Sequence, residues 1–238
     1  MKKLIKRVKR RLWRYSVKFL QQVAPRKFLN VSDLCFWHFL LRSQLRHQNR
    51  DGLTLALLAL NRKPGLILET GTSCRGTDST RLWATYVNQY GGKLWSVDID
   101  EVPRSKLGNL GPQVELVVED SVSFIRMFQL KENEAINFLY LDSYDIDWAD
   151  PLPAAKHGYQ EFQASKKFLS KGSVVVVDDT PATINWIYEQ HHPVALGFKE
   201  KFGTLPGKGA LIVNEVKENP EKYEILYHDY NFVFKLRG

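Results

Sequence analysis

From residue 65 onward the chain alternates short apolar runs with helix-length stretches, and this alternation restricts its fold more than any other feature. The runs are Leu66–Glu69, Leu94–Asp98, Val114–Val118, Ile136–Asp142 and Ser173–Asp178. Each is brief and rich in β-branched or aromatic residues, the pattern of strands covered on both faces. Between them, residues 77–90, 103–109, 120–130 and 153–170 are of helix length. Strands alternating with helices imply an α/β, doubly wound, mostly parallel sheet with right-handed crossovers. The tail departs from this rhythm. Residues 209–218 predict a helix, and Tyr223–Tyr227 and Phe232–Leu236 predict two strands joined by His228-Asp229-Tyr230-Asn231. A turn that tight makes an antiparallel hairpin at the sheet edge and brings the expected strand count to seven.

Upstream, residues 31–48 read as a helix with Ser32 or Asp33 as its cap. Residues 52–61 read as a second helix, ended by the Lys63-Pro64-Gly65 turn. The expected organisation is a basic segment over 1–30, helices over 31–62 that support or lid a site, and one α/β domain over 63–238. A chain of 238 residues holds one such domain with a well-filled core.

The net charge of +8 is unevenly spread. Residues 1–50 carry 14 of the 34 Lys and Arg but one of the 26 acids, Asp33, a net of +13 that leaves −5 for the remainder. A mildly acidic body argues against a nucleic-acid-binding face across the domain. The first 20 residues interleave bases with Leu4, Ile5, Val8, Leu12, Trp13, Val17 and Phe19 near one helical face. That is the pattern of an amphipathic helix that lies on an anionic membrane surface or packs its apolar stripe on the domain. No apolar run reaches the ~20 residues of a spanning helix, and bases interrupt any secretory core. A cytoplasmic protein, peripheral at the inner membrane face, is the expectation. The two cysteines, Cys35 and Cys74, form no disulfide framework and agree with a reducing compartment.

In an open parallel sheet, ligands bind at the carboxyl ends of the strands. Here all five parallel runs end in acid: Glu69, Asp98, Glu119-Asp120, Asp142 and Asp178-Asp179. One such acid caps a helix; five on one edge point to a ligand. The first run opens the loop Glu69-Thr70-Gly71-Thr72-Ser73-Cys74-Arg75-Gly76, with Gly71 for close backbone approach and Gly76 for a tight turn into the next helix. An acid at this strand end repels a pyrophosphate and suits a cationic ligand, and the loop lacks the G-x-G-x-x-G of dinucleotide sites. Asp98 lies at the end of the second run, where a carboxylate accepts both ribose hydroxyls.

This loop resembles the E-x-G-x-x-x-x-G of class I S-adenosylmethionine-dependent methyltransferases. Asp142-Ser143-Tyr144, His157 with Glu161, and Gly172 through Asp178-Asp179 resemble the catechol-type and macrocin-type O-methyltransferases. The resemblance covers roughly residues 60–236. It implies a Rossmann-like methyltransferase fold and S-adenosylmethionine held by Glu69, Gly71, Ser73, Gly76, Asp98, Asp120, Ser121 and Asp142, with Asp120 and Ser121 beside the adenine. Asp120 also reads as the cap of the following helix. The resemblance further implies a divalent cation, Mg²⁺ or else Mn²⁺ or Ca²⁺, on Asp142, Asp178 and Asp179. Asp179 stands where that family commonly has Asn.

The catalytic expectation is Asp142 and Asp178 at the reacting centre and His157 as general base, one helical turn from Glu161. His191-His192-Pro193 reads as a loop, and Pro206-Gly207-Lys208-Gly209 as a surface turn. The acceptor expected is a hydroxyl on a small metabolite or a glycan, and a homodimer is the default assembly. Two further readings remain open: a metal-dependent nucleotide-sugar glycosyltransferase using Asp98-x-Asp100, and a methyltransferase-like binding module without activity. The absent dinucleotide fingerprint disfavours a nicotinamide oxidoreductase.

Overall fold

The computed structural model describes residues 24–25, 27–42, 47–60 and 64–237. The expected amphipathic segment at the N-terminus lies outside the described residues. Two helices, α1 (Val31–Leu41) and α2 (Arg50–Ala59), precede the sheet. There follow β1 (Gly65–Thr70), α3 (Ser79–Tyr90), β2 (Gly92–Asp98), α4 (Glu101–Leu107), β3 (Val114–Val118), α5 (Ser121–Met127), β4 (Ile136–Leu141), α6 (Leu152–Ser165) and β5 (Leu169–Val177). The chain closes with α7 (His192–Phe202), α8 (Ala210–Glu218), β6 (Tyr223–His228) and β7 (Phe232–Leu236). The sheet order is β3-β2-β1-β4-β5-β7-β6. The first five strands pair in parallel, and β7 is antiparallel to both β5 and β6.

Strand periodicity sorts the core into two layers. Ile67, Phe138, Tyr140, Val174 and Val176 face a cluster with Leu34, Phe39, Leu53 and Leu57 of α1 and α2 and Leu82, Trp83 and Tyr86 of α3. Their neighbours Leu68, Leu139, Leu141, Val175 and Val177 face Ile125 of α5, Phe162 of α6 and Ile212, Val213 and Val216 of α8. The N-terminal helices are thus one cover of the sheet. Helix α1 stops at Leu41, short of the expected 48, and residues 43–46 lie outside the described region. The segment expected as a loop at His191–Pro193 instead starts a helix: Pro193 occupies its first turn, where a missing N–H costs nothing. Among the described residues, no helix is long and apolar enough to cross a membrane.

Candidate active site

The acid at the end of β1 faces inward. Glu69 shares the parity of Ile67, so its side chain turns toward α3, and it is 0% exposed. Its Oε1 accepts from Ser79 Oγ at 2.7 Å and Trp83 Nε1 at 3.0 Å. Its Oε2 accepts from Thr80 Oγ1 at 2.6 Å and Ser96 Oγ at 2.5 Å. Burial pushes its pKa up to about 7 against the opposing pull of the hydroxyls. The expectation that Glu69 contacts a cationic ligand is therefore corrected: the period of two along the strand makes it an internal anchor for α3 and β2.

The loop after β1 is held by its neighbours. Gly71 has φ +85°, and a Cβ there would lie 2.3 Å from the Asp142 carbonyl oxygen. Its role is to let β1 and β4 end side by side, a different close approach from the ligand contact expected. Thr72 N donates to Asp98 Oδ2 at 2.9 Å and Asp100 N to Asp98 Oδ1 at 2.8 Å. Each Asp98 oxygen keeps acceptor capacity. Burial raises the Asp98 pKa, and these two amides oppose the rise. Ser73 N donates to Thr80 Oγ1, which ties the loop to the start of α3. Asp100 is turned to the cap of α4, accepting from Val102 N.

A groove of about 560 Å³ opens between Gly71 to Arg75, Asp98 to Asp100, and Asp142, Ser143 and Asp145. It lies where strand order reverses between β1 and β4, the switch point of a doubly wound sheet. Of the expected cofactor residues, it brings together Gly71, Ser73, Asp98 and Asp142.

Asp120 accepts from Ser123 N at 2.8 Å as the cap of α5, and this backbone bond lowers its pKa. Ser121 is buried and within 3.1 Å of His157 Nε2. Neither lines the groove. His157 Nε2 also meets Ser143 Oγ at 3.1 Å and Glu161 Oε1 at 3.5 Å, and Ser143 Oγ donates to Glu161 at 2.6 Å. The Glu161 carboxylate raises the His157 pKa against the effect of burial. The expected base is thus the hub of a polar knot joining α5, α6 and the end of β4. Its ring nitrogen is engaged by three groups, Ser121, Ser143 and Glu161.

Those acids do converge, around a residue expected in a surface turn. Lys208 is 4% exposed. Its Nζ contacts Asp142 Oδ1, Asp179 Oδ2 at 3.1 Å and the Asp142 carbonyl at 3.3 Å. Burial alone would lower its pKa, but Asp142, Asp179 and Asp178 together raise it, so the ammonium stays charged. Asp179 adopts φ +42°, uncommon for a residue with a side chain, and accepts from Tyr230 OH.

Asp178 is 5% exposed and accepts from Asn49 Nδ2 at 2.7 Å, Tyr140 OH at 2.6 Å, Asp179 N at 2.8 Å and Asn231 Nδ2 at 3.5 Å. Four donors leave it no part at a reacting centre, which corrects that expectation. Among the described residues, no group of three or more His, Cys, Asp or Glu is arranged to hold a metal ion. The expected triad of ligands does not fit one, because a lysine lies between two members and polar side chains enclose the third.

No protein-family model matches the chain, and no curated protein matches it. Solved structures do. TomG from Streptomyces achromogenes, an O-methyltransferase of tomaymycin synthesis solved with SAM, is 18% identical over 96% of this chain and 98% of its own, with TM-score 0.50. MycE, a methyltransferase of the mycinamycin biosynthetic pathway solved with Mg, SAH and mycinamycin VI, is 13% identical with TM-score 0.59, over 89% of this chain. This chain spans 55% of MycE's length. PaMTH1, a Podospora anserina methyltransferase solved with SAH, is 14% identical over 94% of each chain, with TM-score 0.51. The fold is therefore the Rossmann-like fold of these methyltransferases, as its strand order already implied.

Proposed function

We propose that this chain is an S-adenosylmethionine-dependent methyltransferase acting on a hydroxyl oxygen of a small molecule or glycan. The observation that carries the reading is Asp98. It stands at the end of β2, beside the Gly71 loop and at the switch point, with each oxygen holding one backbone amide and free to accept from a ligand hydroxyl. The groove is within the roughly 300–1,000 Å³ of small-molecule sites, and its carboxylates Asp98, Asp142 and Asp145 suit a cationic ligand. These residues fit S-adenosylmethionine: Asp98 for the ribose hydroxyls and the backbone of Gly71 to Ser73 for the amino-acid portion. When bound, that cofactor supplies a methyl group on a sulfonium.

The chain's remaining work is to place the acceptor and take its proton. Asp142 borders the groove with its side chain 22% exposed. Its Oδ1 is paired with Lys208, and its Oδ2 has a single long contact, with Tyr140 OH at 3.4 Å. Oδ2 is accordingly the atom that receives the acceptor's proton. His157 acts as a positioning residue, holding Ser143 of the groove wall while also contacting Ser121 of α5.

Calorimetric titration of S-adenosylhomocysteine tests the reading. Micromolar binding that Asp98→Ala abolishes is expected. No binding to the wild-type protein, with binding of a nucleotide sugar in Mn²⁺, would move the assignment to a glycosyltransferase.

A further inference from the structure

We propose that Lys208 supplies, from within the chain, the positive charge that the acids ending β4 and β5 would otherwise draw from a divalent cation, and that the site works without metal. The argument is geometric. Of the ammonium's three donors, two are used on Asp142, at Oδ1 and at its carbonyl, and the charge is also ion-paired with Asp179 Oδ2 at 3.1 Å. The cation therefore sits between the two carboxylates that a metal would have to bridge. A Mg²⁺ ion needs oxygens at about 2.0–2.1 Å in near-octahedral array, which the intervening ammonium prevents. The third carboxylate, Asp178, is enclosed by Asn49, Tyr140 and Asn231.

The lysine is also held by its backbone. Its N–H donates to the Asp179 carbonyl at 3.1 Å. Two glycines allow the packing: a Cβ on Gly158 would lie 2.5 Å from the Lys208 carbonyl oxygen, and one on Gly207 would lie 2.5 Å from the Asp179 carbonyl oxygen. Helix α6 and the end of β5 thus grip the Lys208 turn from both sides. A side chain so constrained is a fixed component of the site. An acceptor here needs no pair of adjacent oxygens to chelate a metal; one hydroxyl beside Asp142 suffices. This catalytic consequence rests on the methyltransferase reading, whereas the charge exchange itself does not.

The test titrates Mn²⁺ into the full chain, followed by calorimetry and electron paramagnetic resonance, beside S-adenosylhomocysteine titrations with and without EDTA. Wild-type protein is expected to bind no Mn²⁺ at this cluster, and EDTA to leave S-adenosylhomocysteine affinity unchanged. Lys208→Ala is expected to gain Mn²⁺ affinity by roughly tenfold or more, and adding Asp179→Asn to remove the gain. Lys208→Arg keeps a cation and is expected to stay metal-free. Wild-type Mn²⁺ binding that Asp142→Asn or Asp179→Asn abolishes would overturn the proposal, and this arm decides even where Lys208→Ala does not fold. A folded Lys208→Ala with no gain would overturn it equally. Loss of S-adenosylhomocysteine binding in every condition would refute the cofactor reading and leave the Mn²⁺ result standing.

Discussion

Gly71→Ala and Gly76→Ala change two glycines of one loop in the same way, yet the structure separates their costs. Both residues have positive φ, +85° and +56°. Forcing an alanine into the left-handed region costs about 1–2 kcal/mol in either place. At Gly76 the described residues add no steric conflict, because none of them beyond its chain neighbours lies within 4 Å of the added Cβ. At Gly71 the new Cβ meets three backbone atoms, the Asp142 carbonyl oxygen at 2.3 Å, its carbon at 2.6 Å and Ser143 Cα at 2.9 Å. Backbone in a paired strand end does not swing aside as a side chain does, so overpacking adds about 1–3 kcal/mol. Gly71→Ala is therefore expected to lose about 2–5 kcal/mol, against a typical total of about 5–15 kcal/mol. Urea unfolding read by tryptophan fluorescence measures both variants, since the chain holds six tryptophans. Gly71→Ala is also expected to weaken S-adenosylhomocysteine binding at temperatures where it is folded, because Thr72 N and the Asp142 side chain move with the clash. Equal destabilisation of the two variants, within about 0.5 kcal/mol, would refute the close-approach argument.

Two further outcomes follow from buried carboxylates. The Glu69 pKa in the folded protein, about 7, lies above its ordinary 4.5. The native state then binds more protons than the unfolded chain between those values, so this group makes stability fall as pH rises from 4.5 to about 7 and flatten beyond. Glu69→Gln is expected to remove that slope in urea midpoints measured from about pH 5 to about pH 8, and an unchanged slope would assign it to other groups. Asn49→Ala removes a donor from buried Asp178 and is expected to cost about 1–3 kcal/mol in the same unfolding assay. A loss below about 0.5 kcal/mol would mean that water or Asn231 replaces the bond.

The sheet was readable because its signal is local: apolar runs covered on both faces carry their own length and punctuation, and five carboxylates marked its ligand edge. What could not be read is which way each carboxylate turns. Glu69 and Asp98 end neighbouring strands, yet strand parity sends one inward to Trp83 and Ser96 while the other borders the groove. Parity is fixed by register within the sheet, and a one-residue difference at a strand end reverses it. Lys208 was missed for another reason. Its partners Asp142 and Asp179 lie far away along the chain, and a lysine between glycines has the composition of an exposed turn. The available sign was the pair of glycines, which permits close backbone contact as readily as flexibility. At His191-His192-Pro193 the available sign was the proline, which in a first turn begins a helix.

Asp178 has a consequence for how the protein is made. Its donors Asn49 and Asn231 stand 129 residues before it and 53 residues after it. One arrives with the first helices and the other with the turn leading into β7. During synthesis, a nascent chain elongated through β5 has the groove's acids and Asn49, but neither Lys208 nor Asn231. The β6–β7 hairpin must then insert β7 alongside β5 for the last donor to reach its place. Contacts of such long range form slowly, since loop closure precedes any gain. The enclosure of Asp178 is thus completed in one late step, when the C-terminal hairpin closes on the sheet edge.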